Sequence, residues 1–582
     1  MTDVADTPPA ELPRYEAGDF ATPRGECDIV MKGGITSGIV YPYAILEIAK
    51  VNRFRSIGGT SAGAIAAAFA AAAEYSRTVR KDPAGYVRLQ RACDELPSRL
   101  ADLFQPAPRF RPLMRHLLRS QRWRRGSSIW ALPISFPLQS VAGGAIGGGA
   151  LRLLHAGAAG VVLGALVGVV VAIAAAIARA VFRHLPKADY GMCPGLGQPG
   201  GRGEALTEWM HSSIQAIAFG ADAPQASALT FGDLAGDDPA NPAVTLRMVT
   251  TNLSMGRPHT LPRLDLQAAF DPAEWRALFP KAVMDRLEAS SPDFRRLAGM
   301  KAFPDEARLP VVVAARMSLA FPILFAAVPV HVRDFATAAL MRATGAKPII
   351  RKARLLMADG GISSNFPIHL FDALLPKRPT FALSLEDLPK GPVGGRRVFI
   401  PAHAGQGVGL PAVGAPRLRD YAWRVLASAK DWQDQLLSTM PGQRERIAHV
   451  LLSEDEGGLN LSMPPERSLR LMRYGLEAGR RFAEGALDFD DHRWRRALVA
   501  YDQLERTVGS TGAAWRAGFG AWLRAYMADP ASYRGLSGRD RERLHQRLGA
   551  FAELDETFTP GLPGKRRKLP RPAGRLRIGP DF

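Results

Sequence analysis

Two consecutive units near the start of the chain share one order of elements: a short apolar strand, a glycine-rich turn and a helix. In the first unit, a strand at 27–31 leads through Lys32-Gly33-Gly34 into a helix at about 39–50. In the second, a strand at 54–57 ends at Gly59-Thr60-Ser61-Ala62-Gly63, and an alanine-rich helix follows. Short apolar runs bounded by glycine indicate buried strands, and their alternation with helices is typical of layered α/β domains. The sequence therefore predicts an α/β fold.

Later apolar segments extend the predicted sheet, and a mostly helical region follows them. The later strands are expected at 245–251, 309–314 and 354–357. From about 389 the glycine and proline content rises, and most of 418–556 has the periodic apolar positions of helices. The glycines of 405–409 follow no predicted strand, so we interpret this G-x-G-x-G as a loop that holds no phosphate.

The turn after the second strand carries the candidate nucleophile, Ser61. Gly59-Thr60-Ser61-Ala62-Gly63 matches G-x-S-x-G, in which small neighbours let a strand turn sharply into a helix and expose a serine hydroxyl. The free N–H groups and the dipole at the start of the following helix stabilise negative charge at that serine. The alternative is a glycine-rich helix cap without chemistry. The strand before the motif and the helix after it favour the nucleophile.

Two further glycine turns have the features of an acyl-transfer site. The loop from Lys32 to Gly38 lies between a strand and a helix, an arrangement whose backbone amides can hold an anion. In acyl transfer that anion is the tetrahedral oxyanion, and the Walker spacing of a phosphate loop is absent. Asp359-Gly360-Gly361 follows the predicted strand at 354–357, so a carboxylate lies at a strand end. By itself, Asp-Gly-Gly is more often a plain turn.

Taken in this order, the three motifs resemble those of the patatin-like phospholipase family: a glycine-rich oxyanion loop, G-x-S-x-G, then Asp-Gly-Gly or Asp-Gly-Ala. Two linking segments are similar as well, LTFGDL at 229–234 and ARMSLAFP at 315–322. The resemblance covers about 28–385 apart from an insertion near 109–187, and it implies a three-layer fold with a central, mostly parallel sheet. One departure lies in the first loop, where the family usually has a basic residue within the loop and this chain has Lys32 before the glycines.

The resemblance implies a lipid acyl hydrolase of the phospholipase A or lysophospholipase kind, with a Ser-Asp dyad. On these positions, Asp359 accepts the Ser61 proton as Oγ attacks an ester carbonyl, and the amides of Gly33 and Gly34 hold the oxyanion. Water then releases the acyl-enzyme, and no metal or other cofactor is expected. Among the histidines, His369 is the nearest in sequence to Asp359. It is therefore the alternative third member of a catalytic triad.

The charge of the chain favours an anionic partner. Its 75 Lys and Arg against 55 Asp and Glu give a net charge of +20, which attracts anionic membrane surfaces and nucleic acids. Because no nucleic-acid-binding module is recognisable, we expect the membrane surface and not nucleic acid. Cys27, Cys93 and Cys193 are too few and too scattered for a disulfide framework or a zinc site, which indicates a reducing compartment.

The insertion contains two long apolar stretches. Arginines alternate with apolar residues at 109–125, as in a basic amphipathic segment. The uncharged stretches 129–151 and 156–178 follow, and the second is long enough to cross a bilayer as a helix. Because Ser61 and Asp359 must meet, the chain between them cannot cross a membrane an odd number of times. We therefore expect a membrane-associated helical hairpin with its basic flanks at the cytoplasmic face. The alternative is a hairpin buried in a soluble fold.

These interpretations divide the chain into six parts and leave two alternative functions open. The alternatives are a catalytically idle membrane scaffold that keeps the fold and an acyltransferase that uses the same dyad. The expected substrate is a membrane phospholipid or another lipid ester, and the sequence does not indicate an oligomeric state. The parts are a flexible leader at 1–24, the catalytic domain at 25–108 and 188–388, the insertion at 109–187, a helical region at 389–556 and a basic tail at 557–582.

Overall fold

The structure is a computed structural model, and it describes most of the chain. The described residues are 11–34, 36–122, 128–295, 297–388, 396–402, 434–453, 456–457, 461, 463–530 and 534–558, with single positions at 406, 421, 425 and 428. Most of the predicted glycine loop at 405–409, the leader before 11 and the basic tail from 559 lie outside these residues.

A large mixed sheet forms the centre of the described fold. Its order is β12-β13-β11-β1-β2-β4-β10-β9-β6-β7, with β5 paired to β4, while β3 and β8 form a separate pair. The five strands from β13 to β4 are parallel, and the strands on either side of them are antiparallel. The strands are β1 Gly25–Met31, β2 Asn52–Gly59, β3 Gly191–Cys193, β4 Thr245–Asn252, β5 Arg257–Leu261, β6 Ala268–Phe270, β7 Lys301–Ala302, β8 Ile323–Phe325, β9 Val328–Asp334, β10 Arg351–Asp359, β11 Thr380–Asp387, β12 Val398–Phe399 and β13 Ile447–Leu452.

Helices lie between and around these strands. They are α1 Tyr41–Val51, α2 Ala62–Thr78, α3 Gly85–Asp94, α4 Leu96–Arg99, α5 Arg111–Arg122, α6 Ser128–Ser135, α7 Pro137–Leu153, α8 Ala158–Arg179, α9 Leu206–Phe219, α10 Phe231–Ala235, α11 Pro272–Arg276, α12 Lys281–Ser290, α13 Val311–Ser318, α14 Phe335–Ala343, α15 Pro465–Ala483, α16 Phe489–Ala514, α17 Gly520–Tyr526 and α18 Gly538–Phe558.

The sheet buries apolar side chains on both of its faces. In β1, Ile29 and Met31 belong to the main hydrophobic cluster, whereas Val30 between them packs with Phe366 and Ile368 in a second cluster. Successive side chains of a strand point to opposite faces, so both faces of β1 are covered. This arrangement confirms an α/β fold with parallel strands at its centre.

A buried ion pair fixes α2 against the strand that leads into it. Glu74 accepts hydrogen bonds from the Phe54 amide at 3.2 Å and from the Tyr86 hydroxyl at 2.6 Å. Arg77, which pairs with Glu74, donates to the backbone oxygens of Ala49 and Asn52 at 2.7 and 3.1 Å. Because both charges are paired and hydrogen-bonded, they can be buried, and they hold α2 in a defined position relative to β2.

The structure differs from the sequence predictions at two places. The strand expected at 309–314 is wrong: α13 begins at Val311, with Pro310 as its N-cap residue at φ −67°. The β-branched run favoured a strand, but proline suits a helix start and the segment is buried on all sides, so tertiary packing overrides propensity. The region expected to be mostly helical also contributes β13, which pairs with β11 and extends the parallel part of the sheet.

The insertion folds into helices, of which α7 and α8 pack against each other in antiparallel directions. Gly143 of α7 faces Gly168 of α8, and Gly147 faces Gly164, so closely that a Cβ on any of the four would collide with the opposite helix. Glycine at these positions therefore allows backbone contact. The helical run Ala158–His184 is long and apolar enough to span a membrane, and only 11% of its most apolar window is buried.

The outward surface of α7 and α8 is apolar. Large apolar side chains more than half exposed lie along both helices: Leu138, Val141, Ile146, Leu153, Val162, Leu163, Leu166, Val167, Val170 and Val171. A water-soluble surface seldom exposes a continuous apolar patch of this kind. The described residues therefore leave this helix pair uncovered.

A buried histidine predicts how stability depends on pH. Burial, with the charge of Arg257, lowers the pKa of His259 on β5 to about 4. The pKa of this histidine in the unfolded chain is about 6.5. Between pH 6.5 and pH 4 the unfolded chain therefore binds a proton that the folded chain does not, and the free energy of unfolding falls as the pH decreases through this range. We expect His259→Gln to lessen the drop in the urea midpoint between pH 7 and pH 5. The exposed His155, changed to Gln, is the control, and equal drops in both variants would contradict the assignment.

Candidate functional site

Ser61 lies at the junction of β2 and α2 in a strained backbone conformation. Its φ of 52° and ψ of −128° are rare for a residue with a side chain, and it is the N-cap residue of α2. A Cβ at Gly59 would overlap the Gly63 carbonyl, and one at Gly63 would overlap the Met31 carbonyl. The glycines on either side of Ser61 are therefore required by the sharpness of the turn.

Two hydrogen bonds from distant segments hold this turn. The Ser61 hydroxyl donates to the Gly34 carbonyl at 2.8 Å, and the Ser61 amide donates to Ser318 Oγ at 3.2 Å. The Ser318 hydroxyl in turn donates to the Val249 carbonyl in β4 at 2.6 Å. Ser318 thus connects the strained residue to the neighbouring strand. Ser318 lies in the segment 315–322, and its sequence pattern alone indicates no role for this serine.

Asp359 ends β10 at the same level of the sheet as Ser61. Strand β4 lies between β2 and β10. Its Met248 is opposite Gly59 of β2 and its Thr250 is opposite Asp359 of β10, so the turns that follow these two strands begin at nearly the same level of the sheet. Strand spacing separates the axes of β2 and β10 by about 10 Å. A Cβ at Gly360 would overlap Thr60 Oγ1. The turn after Asp359 and the turn that carries Ser61 are therefore in contact.

The Asp359 side chain is buried and partly fixed. The residue is 2% exposed, its Oδ1 accepts the Gly361 amide at 2.7 Å, and its own amide donates to the Ala320 carbonyl at 3.0 Å. Ala320 lies two residues after Ser318. One short segment therefore contacts the backbone of both predicted catalytic residues, which a sequence motif alone does not reveal.

The glycine loop contacts the candidate nucleophile, but its two expected amide donors differ. The Gly33 amide donates to the Asn365 carbonyl at 2.7 Å, so in this structure it is engaged and not free to hold an oxyanion. The Gly34 amide has no acceptor among the described residues, while the Gly34 carbonyl also accepts from the Ala62 amide at 3.2 Å. Asn365 is a second residue to which the sequence analysis assigned no role.

The position of Asn365 depends on a buried carboxylate far along the chain. Asp434 accepts the Phe366 amide at 2.7 Å and the Ser364 hydroxyl at 3.5 Å. These bonds fix the residues on both sides of Asn365, and through its carbonyl they position Gly33. A carboxylate 68 residues from its backbone partner has no local signal in the sequence.

His369 lies on a turn that packs on the second face of the sheet. Its neighbour Ile368 belongs to the small cluster with Val30, and Leu370 and Phe371 are the nearest contacts of a Cβ built at Gly58. These contacts direct the turn toward the face opposite to the main cluster, in which α2 packs. Nothing in this placement favours a Ser-His-Asp triad over the dyad.

A cavity with about 740 Å³ of empty space lies beside Ser61. Apart from Ser61, Thr36 and Cys93, its walls are apolar side chains and glycine, contributed by the starts of α1 and α2, by 93–104, by α9 and by 319–325. Walls of this composition suit an apolar ligand, since ligand pockets are lined mainly by hydrophobic side chains. Among the described residues no group of His, Cys, Asp and Glu side chains is arranged to hold a metal ion.

The cavity wall is connected to the base of the apolar helix pair. Leu324 and Phe325 line the cavity and belong to β8, which pairs with β3 directly after the insertion. Arg316, fully buried, donates to the carbonyls of Pro194 and Ala326 at 3.1 and 2.8 Å and so ties the two strands together. Burial lowers the pKa of this guanidinium to about 10, so it stays charged at neutral pH.

The strain at Ser61 predicts a gain in stability when its side chain is removed entirely. Glycine adopts positive φ readily, so Ser61→Gly should raise the free energy of unfolding by about 1 kcal/mol. Ser61→Ala keeps a Cβ and should give no such gain, which makes it the matched control. Urea unfolding of both variants at pH 7 measures the difference, and equal midpoints would argue against a strained turn.

Comparisons with known proteins place the chain among relatives. No family model matches it. It is similar to VipD from Legionella pneumophila, with 12% identity and a TM-score of 0.29 over 92% of this chain and 86% of that one. It is also similar to the ExoU-SpcU complex from the type III secretion system of Pseudomonas aeruginosa, with 15% identity and a TM-score of 0.23 over 91% and 75%. TM-scores this low do not establish a common fold.

A relative in Rhizobium meliloti (strain 1021) is similar at the level of sequence and over the whole length. It is named RpoH suppressor and is 35% identical over 647 aligned residues, which cover 96% of this chain and 100% of the relative. The chain belongs to the family of the Rhizobium meliloti RpoH suppressor.

Proposed function

We propose that this protein is a serine hydrolase of lipid carboxyl esters, of the phospholipase A or lysophospholipase kind, and that its fold is that of the patatin-like phospholipases its motifs resemble. One observation carries the proposal: Ser61, in a strained turn at a helix N-terminus, lies at the wall of an apolar cavity. The cavity suits an acyl chain, and a nucleophile at its wall suits the ester carbonyl at the end of that chain.

In the proposed reaction the Ser61 hydroxyl turns away from the Gly34 carbonyl, and its proton passes to Asp359 as Oγ forms a bond to the ester carbonyl carbon. The tetrahedral intermediate then collapses, the C–O bond to the alcohol breaks, and the alcohol leaves with that proton. Water then attacks the acyl-enzyme and gives a proton to Asp359, the bond from the acyl carbon to Oγ breaks, Oγ takes that proton, and the fatty acid is released. Ser61 and Asp359 are 3% and 2% exposed, and charge interactions strengthen where water is excluded.

The oxyanion in this mechanism is stabilised by the loop before α1 and by the start of α2. The Gly34 amide is the available donor of the loop, and the α2 dipole favours negative charge beside Ser61. The Gly33 amide serves as a second donor only after it leaves the Asn365 carbonyl. A rearrangement of this loop on substrate binding is therefore part of the proposal.

The helix pair α7 and α8 is proposed to enter the cytoplasmic face of a membrane as an anchored hairpin. Its uncovered apolar surface suits lipid, and its glycine contacts suit close packing in a bilayer. Basic side chains cluster at the base of the hairpin, where they suit anionic headgroups: Arg111, Arg115, Arg119, Arg179, Arg183 and Lys187. Because the base adjoins the cavity wall, the active site lies close to its lipid substrate.

Two alternatives use the same fold. An acyltransferase differs only in the group that attacks the acyl-enzyme. Transfer of the acyl group to an alcohol in preference to water would favour this alternative. An idle membrane scaffold would not require a strained serine held by Gly34 and Ser318, and strain at a functional site is usually retained for a purpose. The hydrolase is favoured because the turn after Asp359 contacts the turn that carries Ser61, and Ser61 lies at the apolar cavity.

The dyad predicts a large loss of turnover in two variants. Ser61→Ala removes the nucleophile and Asp359→Asn removes the base, so each should lower kcat/KM on a lipid ester by about 10³-fold or more. Ser76→Ala, a buried serine of the same helix away from the turn, is the matched control and should stay within a few-fold of the wild type. Hydrolysis of lysophospholipid and labelling by a fluorophosphonate are the measurements. Turnover within tenfold of wild type in either dyad variant would overturn the mechanism.

The hairpin predicts a loss of membrane binding when a charge is placed on α8. Leu166 is 60% exposed near the middle of α8, and an arginine at the centre of a membrane helix costs about 3 kcal/mol, so Leu166→Arg should weaken vesicle binding about 100-fold. Leu340 of α14 is 65% exposed outside the hairpin, and Leu340→Arg is the matched control. Flotation with vesicles that contain anionic phospholipid measures both variants. Equal flotation would argue that α8 does not enter the bilayer.

A further inference from the structure

The cavity beside Ser61 follows the axis of α2. This helix lines it with Ala62, Ile65, Ala66 and Phe69, whose spacing of three and four residues places them on one face of the helix. From Ser61 to Phe69 the helix advances eight residues, about 12 Å at about 1.5 Å per residue. The cavity therefore runs from the proposed nucleophile along more than two turns of α2.

One end of the cavity is closed by aromatic rings. Phe69 of α2 and Trp209 of α9 lie with their ring centroids 5.3 Å apart, and each residue is 3% exposed. Cys93 and Leu206 beside them are 2% and 3% exposed. The lining residues that are only partly buried are Gly38, Ile65, Leu96, Leu100, Phe104 and Phe321, so access from solvent lies away from the two rings.

From this arrangement we infer that Phe69 and Trp209 set the longest acyl chain that the site accepts. The inference rests on the proposed function, since it takes the acyl carbonyl to be held at Ser61. With that end of the chain fixed, the terminal methyl must stop before the two rings, and each additional methylene must displace a packed aromatic side chain. Ala66, one turn before Phe69, leaves the cavity open at its middle because its side chain is a single methyl group.

Two kinds of substitution should shift the longest accepted acyl chain in opposite directions. Phe69→Ala and Trp209→Ala open the closed end and should move the preferred ester to longer chains. Ala66→Leu fills the middle and should move the preference to shorter chains, with on the order of a tenfold loss of kcat/KM for each methylene beyond the new limit. Opposite shifts separate a change of cavity length from a general loss of stability, which lowers turnover at all lengths alike.

A second aromatic pair between the same two helices provides the matched control. Tyr75 of α2 and Phe219 of α9 lie with their centroids 5.8 Å apart and do not line the cavity. Phe219→Ala therefore weakens the packing of α2 on α9 in the way that Trp209→Ala does, but it leaves the cavity closed. Its chain-length preference should equal that of the wild type.

The experiment measures both hydrolysis and binding on the full-length protein. Hydrolysis of a series of lysophosphatidylcholines of increasing acyl length gives kcat/KM for the wild type and each variant. Binding of free fatty acids of the same lengths is measured in the Ser61→Ala background by displacement of a fluorescent fatty acid, so that it does not depend on chemistry. We expect the same order of lengths, and the same opposite shifts, in both series.

The outcomes distinguish the two proposals. If the wild type hydrolyses the esters and its preferred length is unchanged in Phe69→Ala, Trp209→Ala and Ala66→Leu, the inference about the closed end is wrong while the hydrolase stands. If the wild type hydrolyses no ester of any length, the proposed function fails. If Phe219→Ala shifts the preference as much as Trp209→Ala, the effect arises from helix packing, and the assignment of the limit to the ring pair is wrong.

Discussion

The site depends on one backbone conformation, the positive φ of Ser61 between β2 and α2. A side chain in this conformation is unfavourable by itself, so the surrounding structure has to impose it. Glycines before and after the serine remove the collisions that would prevent the turn, and Gly34 and Ser318 hold the hydroxyl and the amide. The ion pair of Glu74 and Arg77 fixes the far end of α2, so the helix cannot shift to release the strain. The exposure of the hydroxyl to the cavity follows from these constraints together.

The segment from Arg316 to Ala326 connects the parts of the protein that the proposed reaction requires. Ser318 contacts Ser61, Ala320 contacts Asp359, and the residues that follow form a wall of the cavity before β8 pairs with β3 at the base of the insertion. Non-glycine residues with positive φ occur on both sides of this joint, at Asp189, Tyr190 and Ile323, and the Ile323 amide donates to the Tyr190 carbonyl at 2.7 Å. A movement of α7 and α8 would therefore be transmitted to the cavity wall by β3 and β8, which form a short, strained pair of strands and not a flexible linker.

Local sequence patterns predicted the elements on which the site is built, but not the contacts between them. The two strand, turn and helix units were identified because apolar runs, glycines and alanines are close in sequence, and the structure confirms both. The run at 309–314 was assigned to a strand because β-branched residues favour one in isolation, whereas its packing and Pro310 determine a helix. Ser318, Asn365 and Asp434 act on residues far from them in sequence, so no local pattern reveals them. The roles of Ser61 and Asp359 in catalysis stay predictions, although the sheet brings their two turns into contact.

In the proposed function, the apolar helix pair and the apolar cavity address the same physical difficulty, which is the low solubility of a long acyl chain in water. Each methylene moved from lipid into water costs about 0.8 kcal/mol, so a lipid that left the bilayer through solvent would meet a large barrier. If the base of the hairpin is inserted in a membrane as proposed, a cavity whose wall is joined to it reduces the length of that path, because the chain can pass from one apolar environment to another. The antiparallel glycine contacts of α7 and α8 suit the proposed hairpin, in which the chain enters and leaves the bilayer on one side and Ser61 and Asp359 stay on the same side.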